Sequence, residues 1–278
     1  MTYAEAIRLG EKRLLSSGIA EAAWDARLLF EYARQIDRNF YYLHMNDELS
    51  EADWNAYQDA LQTRMGHVPL QYITGEQEFM GLSFAVNPHV LIPRQDTEIL
   101  VEEAQKRIHA GMDALDLCTG SGCIIVSLSK YAPIHAAASD ISAQALKTAK
   151  ENAKRHGVTV DFIESDLFEG ITSRYDIIVS NPPYIPTEEI KTLMPEVREF
   201  EPFLALDGKE DGLFFYRKII REANSHLKPD GFLLLEIGCG QGKDVACLME
   251  AEGYKEITIR KDLSGLDRIV IGKGRNYV

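Results

Sequence analysis

Residues 116–125 read DLCTGSGCII and decide the fold of this chain. The apolar residues up to Leu117 are typical of a buried strand, and an apolar helical pattern begins directly after Gly122. A glycine-rich turn between a strand and a helix lets a ligand approach the backbone closely, beside the helix N-terminus. Glycine also serves any tight turn. The stretch therefore predicts a cofactor loop, with a purely structural turn as the alternative.

Strand and helix patterns alternate along the rest of the chain. A repeated strand–helix order predicts an α/β fold with a largely parallel sheet that is covered on both faces. Seven strands are predicted, at residues 114–117, 135–139, 160–164, 176–180, 232–237, 256–260 and 268–271. One long irregular stretch, about residues 183–211, exceeds the usual loop length and predicts a functional use.

The N-terminal part of the chain has a helical pattern of apolar residues instead of alternating strands and helices. Tyr3, Ile7 and Leu14 recur at helical spacing up to Gly18, a candidate C-cap, and Ser50 is a candidate N-cap for a later helix. We therefore expect a small helical domain at residues 1–67. Alternating apolar residues between glycines and prolines then predict a β-hairpin linker at 68–93, followed by the α/β domain at 94–278.

Composition limits the classes of function. The chain has 278 residues, 45% hydrophobic and 26% charged, and a formal net charge of −13, which disfavours a protein that tracks nucleic-acid phosphates. No apolar run is long enough to cross a bilayer, and the start MTYAEAIRLGEKRLL lacks the apolar block of a secretory signal, so a cytoplasmic protein is expected. The four cysteines lack metal-ligand spacing and predict reduced thiols with no metal site.

Two carboxylates follow the next strands. Asp140 ends the second strand, about twenty residues after the glycine turn, where an acidic side chain can accept the hydroxyl protons of a ribose. Ile125 occupies the place where a dinucleotide fingerprint needs a small residue, which counts against NAD. Asp166, with the apolar Leu167 and Phe168 beside it, suits an adenine ring. Residues 236–242, EIGCGQG, form a second glycine turn that we interpret as a helix entry.

The fourth strand continues into Asn181, Pro182, Pro183 and Tyr184. These residues could simply end the strand, because asparagine and proline form turns. Alternatively, the two prolines hold the Asn181 carboxamide oxygen and the Pro182 carbonyl as convergent acceptors, with Tyr184 as an aromatic wall. Such a site holds a planar NH2 group by both protons and directs its nitrogen at an electrophilic methyl group.

Taken together, these motifs resemble a class I S-adenosylmethionine-dependent methyltransferase that acts on an amide or amino nitrogen. More closely, nearly the whole chain resembles the HemK/PrmC family of peptide-chain release factor glutamine methyltransferases. The stretches that carry this resemblance are PLQYITG at 69–75, LIPR at 91–94, DTE at 96–98, SNPPYI at 180–185, FEP at 200–202, DGL at 211–213, KDLSG at 261–265 and DR at 267–268.

The resemblance implies a Rossmann-like seven-stranded class I methyltransferase domain whose partner is a class I release factor with a Gly-Gly-Gln loop. It implies cofactor contacts, to S-adenosylmethionine and its product S-adenosylhomocysteine, from Cys118, Thr119, Gly120, Ser121, Gly122, Asp140, Asp166, Leu167 and Asn181. It implies that residues 181–184 seat the substrate glutamine, with Asn181, Pro182 and Tyr184 catalytic. Because neither the helical domain nor the stretch 183–211 is needed to bind the cofactor, we also expect these two segments together to grip the protein substrate. The family commonly has glycine where this chain has Cys118 and proline where it has Gln95.

The expected reaction is direct methyl transfer to a glutamine side-chain nitrogen by a monomer. No histidine, cysteine or lysine in the motif is an obvious strong base, so positioning must contribute most. A DNA adenine methyltransferase makes the same chemical demand, but it needs phosphate contacts that a charge of −13 disfavours. A nonenzymatic cofactor-binding adaptor is the other alternative, and an intact N-P-P-Y sequence argues against it.

Overall fold

The computed structural model describes residues 1–275, and the chain divides into two compact units. The first unit contains residues 1–75 and 194–200, and the second contains residues 76–193 and the chain from residue 201 onward. The predicted boundaries at 67/68 and 93/94 stay a prediction.

The first unit is helical. Its helices are α1 (Tyr3–Ser16), α2 (Ala22–Arg34), α3 (Arg38–His44), α4 (Glu51–Met65) and α5 (Leu70–Thr74). Thr2 and Glu5 form a capping box at the start of α1, and the Ser50 hydroxyl caps α4 by accepting from the Asp53 backbone, as its sequence predicts. Gly18, at φ +81°, follows the C-cap of α1.

Aromatic and aliphatic side chains fill the centre of the helical unit. Phe30 and Tyr57 are fully buried and pack edge to face, and the Tyr57 hydroxyl donates to the Ala26 carbonyl oxygen at 2.9 Å. A buried ion pair joins Arg64 Nε to Asp25 Oδ2 at 2.7 Å. Packing of the amphipathic helices is therefore what holds this unit together.

The second unit opens with a hairpin of β1 (Glu76–Phe79) and β2 (Leu82–Ala85). Met80 and Gly81 both have positive φ, as a two-residue hairpin turn of the right twist requires. The hairpin lies within the predicted linker, whereas Leu70–Thr74, expected in the same linker, is helical and belongs to the first unit. Asn152 bonds to both the N–H and the carbonyl of Ala85 and also donates to the Ser121 carbonyl at 2.9 Å.

A seven-stranded sheet forms the centre of the second unit, in the order β5-β4-β3-β6-β7-β9-β8. Its strands are β3 (Asp113–Leu117), β4 (His135–Asp140), β5 (Asp161–Glu164), β6 (Tyr175–Ser180), β7 (Leu227–Glu236), β8 (Lys255–Lys261) and β9 (Asp267–Lys273). Strands β3 to β7 pair in parallel, and β9 pairs antiparallel with both β7 and β8. The prediction of seven largely parallel strands is confirmed.

Helices cover both faces of the sheet. On one face they are α6 (Gln95–Gln105), α7 (Cys123–Tyr131) and α8 (Ala143–His156), and on the other α12 (Phe214–His226) and α13 (Gly242–Ala251). Three short helices are α9 (Thr187–Ile190), α10 (Pro195–Phe200), which belongs to the first unit, and α11 (Phe203–Leu206). Strand residues alternate between two buried cores: Ile177 and Val179 face one, and Ile178 faces the other. The stretch expected to be irregular, 183–211, contains three of these helices, each too short to leave a helical period.

Candidate active site

A cavity of about 380 Å³ opens in the second unit where β3, β4 and β6 end. From β3 the chain adds β4 and β5 on one side of the sheet and then crosses back to add β6 on the other side of β3. Doubly wound sheets bind ligands at such a reversal of strand order. Of the predicted site residues, the cavity is lined by Cys118, Thr119, Gly120, Ser121, Asp140, Asp166, Leu167, Asn181 and Pro183. Gly122, Pro182 and Tyr184 lie outside this lining in the described chain.

The backbone of the first glycine turn is exposed to the cavity. Gly120 has φ +55°, and a Cβ built on it would meet no atom within 4 Å. Gly122, at φ +79°, caps α7, and a Cβ there would lie 3.0 Å from the Ala149 Cβ. Cys118 also has a left-handed φ of 59°, a conformation that costs an ordinary residue about 1–2 kcal/mol. Glycine, which the resembled family commonly has at this place, avoids that cost.

Two carboxylates flank the turn. Asp140 accepts from the backbone N–H of Gly120 at 2.9 Å and from that of Ser142 at 2.9 Å, which orients both its oxygens, while burial raises its pKa. Asp116 accepts from the Thr119 hydroxyl at 2.6 Å, and its other oxygen has no hydrogen-bond partner among residues 1–275. Burial raises the pKa of Asp116 to about 7. The site prediction omitted Asp116, although it opens the quoted motif.

The predicted adenine side of the cavity is only partly as expected. Asp166 and Leu167 line the cavity, and the Lys218 ammonium lies 3.8 Å from the Asp166 carboxylate. Phe168 does not line it in the described structure: its ring is buried and stacks on His226 with centroids 4.6 Å apart. The expectation that Phe168 stands beside the ligand is wrong, because its side chain turns into the core beneath α12.

Asn181 begins the N-P-P-Y segment at the end of β6. Its Nδ2 donates to the Thr97 hydroxyl at 3.4 Å, and the buried Glu236 carboxylate lies beside both side chains, with no hydrogen-bond partner for its Oε2 among residues 1–275. The contact with Thr97 engages the NH2 end of the carboxamide and leaves Oδ1 as an acceptor. Burial raises the pKa of Glu236 to about 7. Neither Thr97 nor Glu236 was among the predicted site residues, although Thr97 belongs to the quoted DTE motif.

The Tyr184 side chain is mostly buried against the core under α12 and α13, and burial raises its pKa to about 12. The two prolines before it have no N–H to donate, so their carbonyl groups are their only backbone hydrogen-bonding groups. The roles predicted for Pro182, Pro183 and Tyr184 stay predictions.

On the opposite wall of the cavity, the Glu201 carboxylate connects two segments of the chain. Glu201 is buried and pairs with the Arg94 guanidinium, and its second oxygen accepts from the Ile92 backbone at 3.3 Å. This joins the segment before α6 to the segment that leads into α11. Lining residues that the site prediction omitted include Arg94, Leu204, Lys209, Phe214 and Lys218. Of these residues, Arg94 had a signal in the sequence, because it belongs to the LIPR stretch at 91–94 that matches the family motif, whereas the other four lie outside the matching stretches.

The sheet order, the open glycine turn, the carboxylate after β4 and the asparagine after β6 together define a class I methyltransferase. A solved methyltransferase structure from Pyrococcus furiosus shares this fold at a TM-score of 0.55 and 17% identity, over 77% of this chain and 98% of that one. Residues 5–75 match the PrmC N-terminal domain, and residues 94–197 match the methyltransferase small domain.

Curated relatives give the family. A release factor glutamine methyltransferase of Geobacter sulfurreducens is 43% identical over 94% of this chain and 92% of its own length. Its counterpart in Cereibacter sphaeroides is 44% identical over 97% of this chain and 98% of its own length. The chain belongs to the release factor glutamine methyltransferase family. The predicted resemblance, fold and enzyme class, an S-adenosylmethionine-dependent methyltransferase, are confirmed. Among residues 1–275, no helix has the length and apolar character needed to span a membrane.

Proposed function

We propose that this protein transfers a methyl group from S-adenosylmethionine to the side-chain nitrogen of the glutamine in the Gly-Gly-Gln loop of class I release factors. The orientation of Asn181 carries the proposal. With Nδ2 engaged by the Thr97 hydroxyl, the Asn181 Oδ1 can accept one proton of a substrate NH2 group. The Pro182 carbonyl is the proposed acceptor for the other proton.

The cavity fits the cofactor in its size and chemistry. Its volume lies within the range of small-molecule sites, and the space beside Gly120 contains no protein atom that a Cβ would meet. Each Asp140 oxygen accepts one backbone proton and has capacity for a ribose hydroxyl. Residues 118–122, with Asp140, Asp166, Leu167 and Asn181, would hold the cofactor, which supplies an electrophilic methyl group on a sulfonium.

Positioning is the main contribution of these residues to the reaction. An amide nitrogen is a poor nucleophile because its lone pair is delocalised, and holding it in line with the methyl can supply roughly 7–11 kcal/mol. Acceptors on both NH2 protons favour the positive charge that develops on nitrogen. The new N–C bond forms as the S–C bond breaks, S-adenosylhomocysteine leaves, and the nitrogen loses one proton to water.

The helical unit is the proposed recognition surface for the release factor. Its exposed apolar side chains include Leu43, 82% exposed in α3, and the half-exposed Trp24, Tyr32 and Tyr42. Large exposed hydrophobic side chains of this kind are the groups that we propose contact the release factor. The proposal includes a monomer that acts in the cytoplasm, where release factors work, without direct contacts to nucleic acid, in keeping with the charge of −13.

The test is a mass spectrum of a release-factor digest after incubation with the protein and S-adenosylmethionine. One added methyl group on the loop glutamine is expected, and none on a control release factor whose loop glutamine is replaced by asparagine. Methylation of adenine in duplex DNA instead of the release factor would overturn the substrate assignment. Leu43→Ser should raise KM for the intact release factor and leave the rate at saturating substrate unchanged.

A further inference from the structure

The second glycine turn, residues 236–242, contains Gln241, whose side chain joins three segments of the second unit. Gln241 Oε1 accepts from the Gly238 backbone N–H at 2.9 Å. Its Nε2 donates to the Tyr184 carbonyl at 3.0 Å and to the Gly212 carbonyl at 3.3 Å. Gln241 therefore connects the entry of α13 to the end of the N-P-P-Y segment.

Glycines make this contact possible. A Cβ on Gly212, which has φ +72°, would lie 2.3 Å from the Tyr184 carbonyl oxygen and 2.6 Å from Gln241 Nε2. A Cβ on Gly208 would lie 2.7 Å from the Tyr184 carbonyl carbon. The backbone around Tyr184 is thus packed so closely that no side chain larger than hydrogen fits at either position.

The chain after Tyr184 is fastened in the same region. Ile185 donates its backbone N–H to Leu206 at 3.0 Å and accepts from Gly208 at 2.8 Å, and the Thr187 N–H donates to Lys209 at 3.0 Å. Because Lys209 also lines the cavity, this pairing joins the cavity wall to the N-P-P-Y segment. The other end of that segment is fixed by the β6 ladder.

We infer that Gln241 is a positioning residue for methyl transfer, which holds the Tyr184 carbonyl and through it the substrate acceptors Asn181 and Pro182. This inference rests on the proposed function. Two consecutive prolines restrict the backbone between Asn181 and Tyr184, so a displacement of Tyr184 carries over to the Pro182 carbonyl. Gln241 lies outside the cavity lining in the described chain and acts only through this backbone.

The competing role is local: Gln241 could serve only the turn before α13, through Oε1 and the Gly238 N–H. Gln241→Glu separates the two roles. The carboxylate retains an acceptor for Gly238 but directs its other oxygen at two carbonyl groups instead of donating to them. Protonation of the new carboxyl would restore a single donor. Gln241→Ala removes both roles, and Gln144→Glu, at an exposed position of α8 in the second unit, is the matched control.

The experiment measures single-turnover methylation of a release factor against pH, with cofactor affinity and melting temperature for each variant. We expect Gln241→Glu to bind cofactor and melt like wild type but to transfer methyl about a hundredfold more slowly at neutral pH. Its rate relative to wild type should rise as pH falls. Gln144→Glu should match wild type at every pH.

A wild-type rate in Gln241→Glu would overturn the inference, as would a rate loss confined to Gln241→Ala, because both assign the glutamine to the turn alone. A loss in Gln241→Glu that comes entirely from weaker cofactor binding or unfolding would also overturn it. If wild type itself leaves release factors unmethylated, the proposed function fails, which is a different result from activity that survives the substitution.

Discussion

The two glycine turns of the second unit have the same plan, a strand end, a glycine-rich turn and a helix, yet they differ in what meets the backbone. In the first turn, the Gly120 N–H donates to Asp140, which belongs to the neighbouring strand and borders the cavity. In the second, the Gly238 N–H donates to Gln241 of the same turn. A glycine-rich turn becomes a ligand site when two conditions are met. The end of a neighbouring strand supplies polar groups, and the side chains of the turn itself leave the space beside its backbone open.

The largest effect is expected for Asn181, on the side of the sheet that carries the first turn. Asn181→Ala removes the acceptor for one substrate proton, and losing a contact of this transition-state type costs about 2.7–4 kcal/mol, or roughly a hundred- to a thousandfold in rate. Folding should lose about 1 kcal/mol or less, because Asn181 lies at a strand end. The measurement is single-turnover methylation, with cofactor binding and a melting curve.

Gln144→Ala, at an exposed position of α8 in the second unit, is the control for Asn181→Ala and should behave as wild type. Asn181→Asp keeps the size and an acceptor but loses the NH2 donor to Thr97 and adds a charge next to the proposed sulfonium site. It should bind cofactor without restoring the rate. A near wild-type rate for Asn181→Ala would show that the segment only ends a strand.

A second test uses the feature that the two turns share, a buried carboxyl at each strand end. Glu236 has a folded pKa raised by burial to about 7 from an ordinary 4.5. Between these pH values the unfolded chain loses a proton that the folded chain keeps. The free energy of unfolding therefore falls as pH rises, by up to about 3 kcal/mol in total. Above about pH 7 the carboxyl is ionised in both states, and its contribution changes no further.

Glu236→Gln should remove that slope, and Asp116→Asn should remove a similar one at the first turn, whose carboxyl also has a pKa raised to about 7. Denaturant unfolding at several pH values measures the effect. Glu169→Gln, an exposed carboxyl, is the control and should leave the slope as it is. If Glu236→Gln keeps the wild-type slope between pH 4.5 and 7, Glu236 is ionised throughout in the folded protein.

Much of this architecture could be predicted because it depends on local patterns. The strands β3, β4 and β6 were expected within one residue of their bounds, since buried apolar runs bounded by turn residues are a strong signal. Strand β7 begins at Leu227, five residues before the expected start, because Lys228, Pro229, Asp230 and Gly231 read as a turn in the sequence. Pairing of Leu227 with Tyr175 of β6 extended a strand that local preference would have ended, and the register shifts before Phe232 pairs with Ile177.

The unpredicted parts of the site depend on contacts between distant segments. Thr97 and Glu236 lie beside Asn181 from α6 and β7, and no spacing in the sequence indicates that Asn181 bonds to Thr97 or that Glu236 is buried next to them. Phe168 follows Leu167 directly, but a positive φ of 50° at Leu167 and the nearby His226 ring turn it into the core. Gln241 looked like a turn residue because its partners, Tyr184 and Gly212, lie far from it in sequence.

Asp140 gives a test of intermediate size. Cofactor at about 100 times its dissociation constant should stabilise the wild type by about 2.7 kcal/mol, seen as a shift in melting temperature with S-adenosylhomocysteine. Asp140→Ala should lose most of the shift, because the ribose hydroxyls lose a charged acceptor. Asp244→Ala, an exposed carboxylate in the first turn of α13, should keep it. A wild type that responds to NAD and not to S-adenosylhomocysteine would reverse the assignment of the first turn.

The smallest expected effect compares one glycine from each turn. Gly120 and Gly240 both have open space where a Cβ would stand, but Gly120 has φ +55° and Gly240 is not in the left-handed region. Gly120→Ala should therefore cost about 1 kcal/mol of folding free energy, whereas Gly240→Ala should be neutral or slightly stabilising.

The added methyl group at Gly120 also enters the space proposed for the cofactor. Crowding of this kind costs about 1–3 kcal/mol, so cofactor affinity should fall about tenfold. Calorimetric titration with S-adenosylhomocysteine and denaturant unfolding of both variants measure the two effects separately. Equal cofactor affinity in Gly120→Ala and Gly240→Ala would mean that the first turn does not approach the ligand, and the contrast between the two turns would then lie in Asp140 alone.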